Sequence, residues 1–219
     1  QGPSSYSVLS SFIDLSKLVN FLDINVFEFD NTDIYISRSG YTGEDGFEIS
    51  ISNENAENFI NKVYKNENTL LCGLGCRDSL RVEAGLSLYG NEINEDITPI
   101  QANLSWAIDK KRLDDENLNG SNILLQQLQE TKDTVKIGIT PVNKTMLRNN
   151  MTLHNMDKNE IGYITSGCFS PILKRSIGIG YINNFTNKLD KIFVKVRGEF
   201  EEVIIDNIPF VKKNYKKGG

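Results

Sequence analysis

The chain has 219 residues, 39% of them hydrophobic and 24% charged, which is enough to bury a core and too apolar for a disordered segment. Its net charge of −5 and pI of about 5.1 exclude the domain-wide basic footprint of a general nucleic-acid binder. No apolar run approaches the roughly 18–20 residues of a membrane span, three cysteines make no disulfide framework, and one histidine leaves little for a zinc site or a His-based triad.

The chain opens with Gln1-Gly2-Pro3 rather than Met and shows neither a signal-peptide pattern nor an Arg-rich transit segment, so processing or truncation is expected to have removed what came before. A short helix is predicted over residues 5–12. Ile34 and Ile36 alternate with Tyr35 and Ser37, and Phe47, Ile49 and Ile51 alternate with Glu48 and Ser50, so two strands are predicted. The glycine-punctuated segment Ser39-Gly40-Tyr41-Thr42-Gly43-Glu44-Asp45-Gly46 between them makes the pair a hairpin. Ala56, Phe59, Ile60, Val63 and Tyr64 follow at helical spacing, with Ser52 as the N-cap. A second helix is predicted over 75–84, ended by Gly85. In it Arg77 and Arg81 are four residues apart and share a face, and Asp78 can pair with Arg81.

Residues 114–120 are polar and read as a linker, followed by a helix over 122–130. Thereafter three short runs alternate: Val135, Ile137, Ile139; Ile177, Ile179, Tyr181; and Ile192, Val194, Val196. Such runs with intervening turns predict an antiparallel sheet or small barrel. The fold class is therefore α+β, with an α+β part over 1–115 and an all-β part over 116–219. The lysine-rich end, Lys212-Lys213-Asn214-Tyr215-Lys216-Lys217, reads as a solvated tail.

The chemical inventory excludes more than it offers. There is no Walker A loop, and Gly73-Leu74-Gly75 lacks the third glycine of a dinucleotide fingerprint. Cys72 and Cys76 are four apart, the wrong spacing for a Cys-x-x-Cys pair. All three cysteines are expected as buried small hydrophobes, and His154 as a surface or packing residue. No metal site is expected.

Longer motifs carry more. Tyr41-Thr42-Gly43-Glu44-Asp45-Gly46-Phe47-Glu48-Ile49 is followed by Arg77-Asp78-Ser79-Leu80-Arg81-Val82-Glu83-Ala84-Gly85-Leu86, then Tyr89-Gly90-Asn91, Thr98-Pro99 and Leu104-Ser105-Trp106. Thr165-Ser166-Gly167-Cys168-Phe169-Ser170-Pro171 and Pro209-Phe210-Val211 with Asn214-Tyr215 come later. In this order the series resembles the glycine cleavage system T-protein, an aminomethyltransferase family. The resemblance implies a folate-binding domain, here in its C-terminal part, followed by an all-β C-terminal barrel. It implies transfer of methylene from an aminomethyl group on the dihydrolipoyl arm of H-protein to tetrahydrofolate, with release of ammonia.

By the same resemblance Glu48 is the pterin-facing glutamate, Arg77 the folate-binding arginine and Tyr215 a C-terminal tyrosine placed at the folate. A carboxylate suits the adjacent N–H donors of a pterin edge, and a guanidinium forks onto acidic or carbonyl oxygens. Without the motif, Glu48 reads as a solvent-facing strand carboxylate, Arg77 as one half of a helix-surface salt bridge, and Tyr215 as tail. Tyr41 and Trp106 could border the ligand or could serve packing. Lys136 stands where the family often has Arg and is not taken as a site. The family's transfer aspartate falls in the half that this chain does not contain, so no catalytic residue is assigned and the chain alone is expected to be inactive.

Two alternatives share the fold. Non-catalytic iron–sulfur assembly relatives carry a Lys-Gly-Cys-Tyr-x-Gly-Gln-Glu motif, which the surroundings of Cys168 lack; dimethylglycine and sarcosine dehydrogenases would need a flavin domain upstream. The expected partners are lipoylated H-protein and the other glycine cleavage components, with neither nucleic acid nor membrane. The expected compartment is the mitochondrial matrix in a eukaryote and the cytoplasm in a bacterium.

Overall fold

A computed structural model of the chain describes residues 1–113, 118–129, 134–183 and 191–217. The expected linker at 114–120 therefore lies in part outside the described residues. Two compact units are formed, one from Gln1–Ala84 with Val211–Gly219 and one from Gly85–Phe210.

The first unit contains α1 (Ser5–Ser10), β1 (Ile24–Phe29), β2 (Thr32–Ser37), β3 (Glu48–Ser50), α2 (Asn53–Tyr64) and α3 (Leu74–Glu83). The strands form one antiparallel sheet in the order β1-β2-β3. The predicted hairpin is β2–β3, with Ile36 opposite Ile49 and Ser37 opposite Glu48. Strand β1 was not expected, because its apolar residues Ile24, Val26, Phe27 and Phe29 break the alternation. It is joined to β2 by Asp30 and Asn31, both at positive φ (49° and 59°), a conformation that Asp and Asn tolerate and that suits a two-residue hairpin turn.

Phe27, Phe29, Ile34 and Ile36 point to one face of this sheet and are buried with Leu9, Ile13, Leu15, Leu18 and Phe59. Helix α2 is fastened there by aromatic edges: Phe59 meets Phe29 at 5.0 Å and Phe12 at 5.6 Å between ring centres, both T-shaped. Each such pair contributes about 0.5–1.5 kcal/mol beyond its buried area. Of the predicted apolar stripe on α2 only Phe59 is buried, whereas Ile60 and Tyr64 are each 55% exposed. Ser52 occupies the N-cap position in an extended conformation but makes no side-chain capping bond. Helix α3 ends as expected, with Gly85 following it at φ +67°.

The second unit contains α4 (Ser121–Gln129), β4 (Thr134–Pro141), β5 (Thr152–His154), β6 (Glu160–Ser170), β7 (Arg175–Asn183), β8 (Ile192–Val196) and β9 (Glu199–Asp206). The six strands close into an antiparallel barrel in the order β4-β7-β6-β5-β8-β9, with β4 also paired to β9. Ile137, Ile139, Leu147, Leu153, Ile164, Ile182, Ile192, Val194 and Val203 fill it. The alternation expected for β4 is overridden, since Lys136 through Pro141 are all buried. The outer side of β4 is covered by a preceding loop: Lys136 N–H donates to the Gln101 carbonyl, the Lys136 ammonium to Ser87 Oγ at 2.7 Å, and Asn103 to the Lys136 carbonyl.

His154 is a packing residue, as expected. It is buried, bonded through its ring nitrogens to Thr152 Oγ1 and the Lys158 carbonyl, and edge-on to Phe200. The cysteines correct their expectation: all three are free, but Cys72 and Cys76 are exposed and Cys168 is half-buried. Cys72 and Cys76 share an exposed stretch with Leu70, Leu71 and Leu74, so among the described residues both thiols lie at the surface. Among the described residues no helix is long and apolar enough to cross a membrane.

Candidate functional site

The ten residues that join β2 to β3 would wander if only glycines and polar groups held them. Three anchors prevent it. Arg38, 4% exposed, forks onto Asp45, with Nε to Oδ1 at 2.9 Å and Nη2 to Oδ2 at 2.6 Å, while Nη1 donates to the Leu18 carbonyl at 2.8 Å. Its guanidinium also lies over the rings of Tyr6 and Phe47. Hydrogen bonding to the Asp45 carboxylate holds Arg38 above even its usual high pKa. Taking either partner away would strand a charge at low accessibility.

The second anchor is the Gln1 side chain, which donates to the carbonyls of Ser39 and Phe47 and accepts from Thr42 Oγ1. Gly40 and Gly46 make room for it: a Cβ at either position would come within 1.9 Å or 2.6 Å of the Gln1 amide. The third anchor is the C-terminal tail. Val211 N–H donates to the Glu83 carbonyl, Asn214 N–H to the Gly43 carbonyl, Asn214 Nδ2 to Glu44 Oε1, and Phe21 N–H to the Lys216 carbonyl. The expectation of a solvated tail is thereby corrected for Val211, Asn214 and Lys216, whose backbones bond Glu83, Gly43 and Phe21 in turn.

The predicted site residues take their places on this frame. Glu48 opens β3 on the sheet face opposite the core, exposed, and accepts a hydrogen bond from Ser39 Oγ at 2.6 Å. Its register neighbours on that face are Ser37 and then Ile24. Arg77 lies in the first turn of α3, exposed, with its guanidinium carbon 5.1 Å above the Tyr41 ring. Among the described residues neither Glu48 nor Arg77 forms an ion pair. The salt-bridge expectation does hold for Arg81, buried and 2.7 Å from Asp78, although Arg77 four residues earlier is open.

Tyr215 is half-buried and stacks on Phe21, with ring centres 4.0 Å apart and planes at 7°. Burial pushes its phenol above the usual tyrosine value and pushes the Lys213 ammonium below the usual lysine value. Arg77 and Tyr41 are thus brought together, and Tyr215 is tied to the loop through Asn214. No direct bond among the described residues joins Glu48, Arg77 and Tyr215. Trp106 belongs to the second unit, in a 3-10 turn over Ser105–Ala107, and is 80% exposed.

Sequence reasoning missed Arg38 with Asp45, although Asp45 stood inside the quoted motif. It also missed a buried polar cluster in the second unit. Glu92, wholly buried, accepts from Thr165 Oγ1 at 2.6 Å, Ser166 Oγ at 2.5 Å and Leu88 N–H at 2.9 Å, and Tyr181 donates to its carbonyl at 2.7 Å. Burial, reinforced by the Glu92 charge, pushes the Tyr181 phenol far above its usual value. The cluster pins the Tyr89-Gly90-Asn91 turn to β6 and β7. Its only trace in the sequence was the presence of both segments among the family motifs.

Residues 1–112 match the family model for the GCVT N-terminal domain, and residues 132–212 match that for the glycine cleavage T-protein C-terminal barrel domain. The chain belongs to the glycine cleavage T-protein family. It is 39% identical over 222 residues to the mitochondrial aminomethyltransferase of Pisum sativum, covering 99% of this chain and 54% of that protein. To its counterpart in Homo sapiens it is 36% identical over 219 residues, covering 98% of this chain and 54% of the human protein. The crystal structure of the glycine cleavage system aminomethyltransferase T from Bartonella henselae superposes with a TM-score of 0.89 at 33% identity, over 99% of this chain and 60% of that one. The chain therefore spans about half the length of the curated relatives it matches.

Proposed function

We propose that this chain forms the folate-facing and barrel-bearing part of an aminomethyltransferase of the glycine cleavage system. The reaction moves the methylene of an aminomethyl group, carried on the dihydrolipoyl arm of H-protein, to tetrahydrofolate, and ammonia leaves. Tetrahydrofolate, when bound, supplies the nitrogens that accept the carbon. The observation that carries the reading is that Glu48 and Arg77 are both exposed while neither is engaged in an ion pair among the described residues.

Each residue then has a chemical task. Glu48 offers a carboxylate to the adjacent N–H donors of a pterin, and Ser39 orients it by donating to Oε2. Arg77 offers a guanidinium to the ligand's carbonyl or acidic oxygens, with the Tyr41 ring beneath it limiting its rotamers. Tyr215, flat against Phe21, gives an aromatic wall held to the Gly43 loop by Asn214. Tyr41 borders the ligand in this reading. No residue of the chain is assigned the transfer step itself, and the chain alone is expected to be inactive in transfer. The division into 1–115 and 116–219 is proposed on the strength of the two matched family stretches. Lipoylated H-protein and the other glycine cleavage proteins are the proposed partners. The mitochondrial names of the eukaryotic relatives support a matrix location if the source is eukaryotic.

Calorimetric titration with 5-methyltetrahydrofolate tests the assignment. Glu48→Gln removes the charge and turns an acceptor into a donor, so affinity should fall by about ten- to a hundredfold. An unchanged Kd would remove Glu48 from the site. No heat from either this chain or a longer form carrying the relatives' remaining half would sink the folate reading.

A further inference from the structure

The spacing of Cys72 and Cys76 excludes a Cys-x-x-Cys motif, but the fold brings the two thiols together by another route. Helix α3 begins at Leu74, and Gly73 caps it in an extended conformation, at φ −86° and ψ 176°. An extended cap residue turns the preceding residue back over the start of the helix, so Cys72 faces the first turn, where Cys76 lies. The Cys76 thiol hydrogen-bonds Cys72, and that contact is the chief cause holding Cys76 above the usual thiol pKa. Cys72 Sγ in turn donates to the Leu70 carbonyl at 3.7 Å. The two contacts run in one direction, from Cys76 to Cys72 and from Cys72 to Leu70.

We infer that Cys72 and Cys76 form a reversible redox site, a dithiol that takes small-molecule disulfides as its substrate and closes a Cys72–Cys76 bond across the start of α3. Both thiols are free and exposed, whereas Cys168 is half-buried on β6. A Cβ built at Gly73 or Gly75 would meet no atom beyond its own turn within 4 Å, so a small reagent has room to approach. The contacts divide the labour. Cys72 receives the Cys76 hydrogen bond, which stabilises its thiolate and makes it the attacking sulfur; Cys76 keeps its proton longer and resolves. Cys72 gives its proton to water and attacks one sulfur of the disulfide, whose S–S bond breaks and releases one thiol. Cys76 then loses its proton and attacks Cys72 Sγ, which forms the protein disulfide and releases the second thiol. One protein dithiol is oxidised and one disulfide is reduced to two thiols. The N–H groups of Cys76 and Arg77 both bond the Gly73 carbonyl, so the new bond braces the turn that carries Arg77.

The test incubates the reduced 219-residue chain, and a longer form carrying the relatives' remaining half, with glutathione disulfide. Intact mass should show the loss of two hydrogens, peptide mapping should place the bond between Cys72 and Cys76, and added reduced glutathione should reverse it. Cys76→Ser should stop at a glutathione adduct on Cys72, and Cys168→Ser should behave as the parent. With free glutathione kept about tenfold below the millimolar effective concentration of a neighbouring thiol, the parent's adduct should resolve at least about tenfold faster than glutathione releases it from Cys76→Ser. In urea the Cys72–Cys76 disulfide should be at least about tenfold less favoured than in the folded chain. Adducts that accumulate on both cysteines without closing overturn the inference, as does a disulfide equally favoured folded and unfolded. Thiols that resist glutathione disulfide in the longer form also overturn it. None of these readouts involves folate or transfer, so their failure is separable from failure of the proposed function.

Discussion

In Gly85–Phe210 six strands close on themselves, β4 pairing with both β7 and β9, while in Gln1–Ala84 three strands end at β1 and β3 with an edge on each side. Both sheets are antiparallel and both bury one apolar face, so local chemistry does not separate them. Closure does. The barrel pairs each of its described strands on both sides around an apolar core, whereas the open sheet leaves Ile24, Val26 and Tyr35 exposed on its outer face. The candidate ligand residues Glu48, Arg77 and Tyr215 all sit on the open unit.

The largest effects should come from emptying each core in turn. Phe59→Ala removes the ring that holds α2 to the sheet and should cost about 3–5 kcal/mol, and Leu153→Ala in the barrel about 2–5 kcal/mol. If the units are separately cooperative, urea unfolding followed by hydrogen exchange should show each loss confined to its own unit. A single shared transition shifted equally by both would break the comparison.

Buried charges come next. Arg38→Met leaves Asp45 without its fork and should destabilise the first unit by about 3–5 kcal/mol. Glu92→Gln in the second unit is milder, about 1–3 kcal/mol, because the amide oxygen can accept from the Leu88 N–H while the Thr165 and Ser166 hydroxyls turn to accept from its nitrogen, so only the charge on the acceptor is lost. Denaturant midpoints for the two variants, read unit by unit, check both the order and the location of the losses.

The smallest effect is alkaline. The Tyr181 phenol titrates above its unfolded value near 10, so at high pH the unfolded chain releases a proton that the folded barrel keeps. Stability should therefore fall as pH rises above 10. Tyr215 shifts in the same direction through burial and adds a similar but shallower fall to the first unit. Thermal scans from pH 9 upward should show Tyr181→Phe with a flatter decline than the parent, despite a loss of about 1 kcal/mol at neutral pH from the missing bond to Glu92. A Tyr181→Phe profile parallel to the parent would remove the phenol from the account.

Much of the fold could be read in advance because it rests on local periodicity. Alternation at Ile34 and Ile36 and at Ile177, Ile179 and Tyr181 located β2 and β7, and helical spacing at 56–64 located α2. Strand β1 escaped because its apolar residues face both sides, and β5, β6 and β9 because none presents a clean alternation; only the partners across the barrel make those segments strands. The apolar stripe on α2 pointed to more burial than the unit delivers, since periodicity says which residues share a face and nothing about what lies opposite. The same gap left Cys72 and Cys76 misplaced.

The candidate site divides along the same line. Glu48, Arg77 and Tyr215 were named by motif, a signal carried in the order of residues. That Arg77 rests on Tyr41 while Arg81 is buried against Asp78, that Arg38 locks Asp45, and that Tyr215 leaves the tail to stack on Phe21 could not be read from spacing. By itself the sequence determined the elements with clean periodicity, such as β2, β7 and α2, the glycine-rich turn between β2 and β3, and the membership of the family, all of which depend on neighbours a few residues apart or on ordered motifs. Only the tertiary structure decided which charges are paired and which stay open, because pairing joins residues as distant as Asp30 and Lys62 or Arg175 and Asp206 and is governed by burial and closure, which no short window of sequence contains.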